Sequence, residues 1–264
     1  MLKLFKLAVA AICWLTLPVS PSWAHDSDEI AKQIAPTGTL RAVINLGNPI
    51  LAHVDSQSSE PTGVSVDLAQ ALAQRLKVPL KLMTVSSAAK SVESVMSGNA
   101  DIGFFAIDPV RGQGISFTPA YVVIEGSYLV RNNSPLKQNE EVDQSKHTVV
   151  VGKGSAYDLF LTRELKSAHL IRTNTSPEVV PFFVSENHDV AAGVKQQLEA
   201  DAKRLGGLRL LPGHFMVIEQ AMGQPLGRTH SAKTFLKNFV EDMKSNGFVR
   251  DSLIRHHIDG ASIP

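Results

Sequence analysis

The stretch Gly103-Phe104-Phe105-Ala106-Ile107-Asp108-Pro109-Val110-Arg111, followed by Ser116-Phe117-Thr118-Pro119-Ala120-Tyr121, sets one arginine on a turn just beyond an apolar strand. Open α/β sheets form their binding crevices at strand ends. A guanidinium stays charged and offers a planar fork of donors that fits a carboxylate, so Arg111 is expected to bind an anionic group. The plainer reading of a lone loop arginine is a solvated surface charge. The rest of the chain has to decide between them.

On either side of this stretch, strand and helix signals alternate. Thr39 to Asn45 reads as a strand, Val64 to Leu76 as an amphipathic helix, Leu80 to Val85 as a strand and Ala88 to Met96 as a helix ending at Gly98. A strand from Tyr121 to Arg131 follows, and after the polar, turn-rich segment Asn132 to Lys146 a second alternation begins. It comprises strands at His147, His169, Asp189 and Leu208, with helices from Ser155, Pro177 and Val194 between them. After a last strand, Phe215 to Met222, two helices close the chain, Ser231 to Lys244 and Phe248 to His256. The fold class is α/β, with room for two lobes of ordinary size.

The N-terminus reads as a secretory signal peptide over residues 1–24. Lys3 and Lys6 precede an apolar run from Leu7 to Leu17 that is too short to span a bilayer, and Ser22 and Ala24 suit cleavage before His25. The only cysteine, Cys13, lies in that segment, so the mature chain is expected to lack disulfides and thiol chemistry. The formal charge of +1 becomes about −1 once the two lysines leave. Such a balance argues against nucleic acid, which needs a basic face to neutralise phosphates. The histidines are scattered without metal-ligand spacing, Gly152-Lys153-Gly154-Ser155 falls short of a phosphate loop, and no nucleophile turn is present. Neither metal nor cofactor is expected, and no catalytic motif.

Several short motifs in order resemble the extracellular solute-binding proteins of ABC importers, in the branch of polar amino acid receptors. They are Gly38-Thr39-Leu40-Arg41, Asn48-Pro49, Gly63 to Leu68, Ser97 to Asp101, Asp108 to Arg111, Phe117 to Tyr121 and Val151 to Ser155. The resemblance implies the type II periplasmic-binding-protein fold: two α/β lobes joined by two hinge strands, with a solute held in the cleft. Lobe 1 would take residues 25–124 and the C-terminal helices in 223–264, and lobe 2 residues 125–222. It further implies a periplasmic monomer that delivers a small carboxylated solute to a membrane ABC permease without doing chemistry. Relatives of this fold that dehydrate prephenate-like cyclic acids, or that pass closure to a membrane partner as sensors, stand as alternatives.

The family's carboxylate-binding arginine corresponds to Arg111, with Ala106 on the strand before it. Ser155 and Ala156, at a strand end before a helix, would meet an anion through backbone N–H groups and a hydroxyl; a simple helix cap at Ser155 uses the same donors. Asn48 is expected on the rim, as is Tyr157. Of Phe104 and Phe105, which alternate across one strand, Phe105 is expected to face the cleft. The acid that usually pairs with an amino acid's ammonium is absent, its position being Val194 followed by Lys195. Glu125, inside an apolar run, is either a replacement for it or a hinge salt bridge to the protein's own arginine or lysine.

Overall fold

The computed structural model describes residues 22–264, and the side chains from residue 28 onward. The expected signal segment lies outside the described residues except for its last three positions. In chain order the elements are α1 (Ser22–Ile34), β1 (Leu40–Asn45), β2 (His53–Val54), β3 (Pro61–Thr62), α2 (Val64–Leu76), β4 (Leu80–Val85), α3 (Ala88–Met96), β5 (Ile102–Ala106), β6 (Ile115–Arg131) and β7 (Thr148–Gly152). There follow α4 (Ala156–Glu164), β8 (His169–Thr173), α5 (Val179–Ser185), β9 (Val190–Val194), α6 (Lys195–Leu205), β10 (Leu208–Leu210), β11 (Met216–Pro225), α7 (His230–Ser245) and α8 (Phe248–Arg255).

One sheet runs through the molecule in the order β4-β1-β5-β11-β6-β9-β7-β8, with β10 added to β6. Its two ends are parallel βαβ units: β4, β1 and β5 in lobe 1, and β9, β7 and β8 in lobe 2. Among the described residues only β6 and β11 pass between them, paired antiparallel from Pro225 and Ile115 to Met216 and Gly126. At Gly126, β6 meets Val194 of β9 on its other edge.

Helices cover both faces. In lobe 1, α1, α2, α7 and α8 enclose a core built from Ile34, Leu40, Ile44, Leu68, Leu72, Leu236 and Phe239. On the opposite face α3 packs its Val95 over Val43, Phe105 and Ile115. Lobe 2 repeats this, with α4 over Val149, Val151 and Tyr128, and α5 and α6 over Leu129, Val150 and Ala191.

Two carboxylates pin the strand and helix ends, one buried and one half-buried. Asp101, fully buried at the entry to β5, takes Arg41 from β1 and Arg228 from the turn after β11. Asp67 on α2 receives Ser252 and Arg255 from α8 and His256 just after it, which fastens the C-terminal helix to lobe 1. Beyond α8 the chain does not end free, since Ser262 exchanges both backbone hydrogen bonds with Val123 on the crossing strand β6.

The strand expected from Tyr121 begins six residues earlier. Pro119 lacks an N–H and should interrupt the ladder. The structure absorbs it with two register shifts opposite Gln220 to Gly223, and the Thr118 hydroxyl accepts the Met222 N–H at 3.1 Å in place of a backbone partner.

Candidate functional site

The cleft lies where the C-terminal ends of β1 and β5 in lobe 1 face those of β7 and β9 in lobe 2, a placement that follows from the parallel βαβ units. Arg111 stands on a one-turn 3-10 helix after β5 and is 4 % exposed. Its Nη1 donates to the Ala106 carbonyl at 3.0 Å, and its Nη2 donates across the cleft to the Gly154 carbonyl of lobe 2 at 2.9 Å. Among the described residues Arg111 makes no ion pair. Burial pushes its guanidinium pKa down to about 10, opposed by the negative charge of nearby Asp108. Five N–H donors with two carbonyl partners leave capacity for an anion.

Other contacts join the lobes beside it. Asp108, 5 % exposed, accepts a charged hydrogen bond from Arg163 of α4 at 2.9 Å. Gly154 adopts φ +70°, and a Cβ there would lie 2.8 Å from the Ala89 Cβ of α3. The lobes approach so closely at this point that only glycine fits.

Ser155 caps α4, its Oγ accepting the Asp158 N–H at 3.0 Å, while its own N–H goes to Gly152. Ala156 opens the helix and lines the cleft. The positive end of α4 is already partly answered from within. Asp158 in its first turn accepts the Gly154 N–H at 2.8 Å and pairs with Arg172 at 2.9 Å. Lobe 2 therefore offers an anion less than a bare helix N-terminus would.

Asn48 lies on the cleft wall, and its side-chain oxygen is buried without a hydrogen-bond partner. Tyr157 is not a solvated rim residue: it is 4 % exposed, packs in the lobe 2 core and has its hydroxyl pKa raised by burial, against hydrogen bonds from Ser176 and Ser155.

Two expectations need correction. Phe105 touches the cleft wall, but its ring is 2 % exposed under α3, edge-on to Phe117 at 6.3 Å, and lies over Gly103 and Gly223, where any Cβ would collide with it. Phe104 packs on the opposite face against Tyr121. Strand alternation thus decided which helix layer each ring joins and not which ring faces the cleft, because the cleft opens at the strand's end.

Glu125 does not line the cleft. Its carboxylate binds Lys195 at 2.8 Å and His214 at 3.0 Å on the hinge surface. The Lys195 hydrogen bond holds its pKa below the ordinary carboxylate range. Of the two readings of Glu125, the hinge salt bridge is the one present, and Lys195 is occupied by it.

Among the described residues, six further polar side chains line the cleft that the sequence did not single out for the site: Asn45 and Ser65 from lobe 1, Gln220, 6 % exposed on β11 opposite Ala106, and Ser176, Gln197 and Asp201 from lobe 2. Gln220 is visible only once strand pairing is known. Asp201 did leave a signal, since it follows Leu198 by three residues on the apolar stripe of α6.

Comparison with known proteins agrees with this architecture. Residues 40–252 match the family model of bacterial extracellular solute-binding proteins, family 3. A solute receptor for L-cysteine of Neisseria gonorrhoeae superposes with a TM-score of 0.74 at 20 % identity, covering 87 % of this chain and 94 % of that one. A binding component of an ABC transporter from Wolinella succinogenes, solved with lysine, gives 0.72 at 22 % identity over 83 % and 95 % of the two chains. At these identities the structures speak for the fold alone. Membrane-bound lytic murein transglycosylase F of Aeromonas hydrophila subsp. hydrophila is 27 % identical over 175 residues, 66 % of this chain. The chain spans about a third of that relative's length, 34 %.

Proposed function

We propose, because the chain belongs to the bacterial extracellular solute-binding proteins of family 3, that its two lobes close on a small solute bearing a carboxylate and present it to an ABC permease. The observation that carries the carboxylate is Arg111, a buried guanidinium held only by backbone carbonyls, one from each lobe. A buried charge without a counter-ion is costly, and a solute carboxylate offsets that cost. Contact with both lobes makes the bound state favour closure, since a ligand shifts an equilibrium only through differential contacts.

Residues 25–124 with 223–264, and 125–222, are the proposed moving bodies, pivoting where β6 and β11 cross between the lobes. What supports this is that, among the described residues, these strands alone connect the two βαβ units. The binding protein is proposed to act as a monomer in the periplasm, exported by the N-terminal segment. N-terminal sequencing of the exported protein is expected to begin at His25, and retention of residues 1–24 would refute the cleavage.

Solute capture without chemistry fits the site better than dehydration. The acid that dehydration would draw on, Glu125, is outside the cleft lining and kept ionised by Lys195. A thermal-shift screen against amino acids, betaines, dicarboxylates and cyclic acids tests the receptor reading. A solute at a hundredfold its dissociation constant stabilises by about 2.7 kcal/mol. A selective shift lost in Arg111→Ala is expected; a shift that survives the substitution would remove Arg111 from the site.

A further inference from the structure

Among the described residues two charged side chains line the cleft, one of each sign: Arg111 from lobe 1 and Asp201 from lobe 2. Asp201 is 5 % exposed. Its carboxylate accepts from the Gln197 amide at 3.0 Å and from Arg204 at 2.6 Å. The Arg204 side chain is 58 % exposed, so solvent screens that pair and a competing cation can displace it at little cost.

Position sets what Asp201 can reach. Val194, which closes β9 at the cleft, is followed at once by α6, and Asp201 lies seven residues further on. At 1.5 Å per residue that is about 10 Å along the helix, away from the mouth. The ammonium of an α-amino acid sits next to its carboxylate, and one anchored on Arg111 does not extend that far. The cavity lined by both charges holds about 60 Å³, room for roughly four or five waters, which suits a small solute and leaves little space for branches. Its wall between them is largely apolar or small, with Val179, Val180 and Gly193.

We propose, resting on the receptor reading above, that Asp201 with Gln197 forms a second subsite for an ammonium or guanidinium group, and that the solutes taken are unbranched carboxylates carrying that cation at the far end. The negative charge missing at Val194 is thereby supplied two turns deeper on the same helix. Arg204 holds Asp201 until the solute's cation replaces it.

Calorimetry on the mature chain tests this with pentanoate, 5-aminopentanoate and norvaline, which share a carbon chain and differ in where the amine stands. Binding of 5-aminopentanoate is expected to exceed that of pentanoate and norvaline by about thirtyfold or more, the size of effect a desolvated charge pair gives. Asp201→Asn, which preserves shape, is expected to erase that preference while leaving pentanoate within about threefold, and Arg111→Ala to weaken all three. Equal affinity with and without the terminal amine, or a preference that survives Asp201→Asn, overturns the subsite; if Arg111→Ala still weakens every solute, the receptor reading stands. Absence of binding by all three in the parent chain also overturns the subsite, and the broader thermal-shift screen then judges the receptor reading separately. Should Asp201→Asn lower the melting temperature of the free protein, the comparison of the three solutes on the parent chain decides alone.

Discussion

Arg111 on the turn after an apolar strand and Glu125 inside one are both charges set among apolar residues, and from sequence both are candidates to hold solute. In the folded chain their surroundings are opposite. Arg111 is buried with two carbonyls and, among the described residues, no ion pair. The Glu125 side chain is 31 % exposed and has gathered Lys195 and His214. A carboxylate already shared between two cationic side chains has little left to offer a solute, whereas a charge buried without an ion pair gains most when a solute brings the opposite sign.

The largest test of that contrast is Arg111→Ala. It is expected to cost on the order of 2 to 4 kcal/mol of solute affinity by calorimetry, while Glu125→Gln leaves affinity within about threefold. Equal losses from the two would erase the distinction. Next comes the close approach of the lobes. Gly154→Ala adds a methyl against Ala89 at a positive φ, and is expected to weaken binding by about 1 to 3 kcal/mol through strain in the closed state. Small-angle scattering with and without solute should record less compaction in this variant; full compaction would show that the contact yields.

The smallest effect belongs to the hinge and depends on pH. Because Lys195 depresses the Glu125 pKa, the pair adds stability above the ordinary carboxylate range, and loses it as pH falls through the lowered value. Lys195 is raised by the same partner, so its share is present below the ordinary lysine range and lost as pH rises through the raised value. Glu125→Gln is expected to lower stability by less than about 1 kcal/mol at neutral pH, since the pair is screened by solvent. Urea denaturation should find parent and variant converging in strong acid. A difference that persists there would mean Glu125 acts through packing.

How far the chain could be read depended on the range of the forces involved. Helix α2, strand β4 and helix α3 were expected over the residues they occupy, because periodicity, caps and Gly98 are local signals. Helix α1 and the short β2-β3 hairpin were missed, the first masked by the signal-peptide reading and the second too short to show a period. The start of β6 was missed for another reason. Pro119 is locally a strand breaker, and only the facing strand β11, with Thr118 as surrogate partner, makes it tolerable.

Sequence alone determined the α/β class, the alternation that builds two βαβ units, the order of family motifs and the place of Arg111 on a turn after a strand, since each rests on residues near one another in the chain. Tertiary structure alone decided that Glu125 is consumed at the hinge, that the Phe105 ring belongs to the core beneath α3, and that Gln220 and Asp201 reach the cleft. Those outcomes turn on which strands pair and which helix faces meet across long stretches of chain, 70 residues in the case of Glu125 and Lys195. Whether a charge stays free for a solute is set by the partners folding brings to it, and no local pattern carries that information.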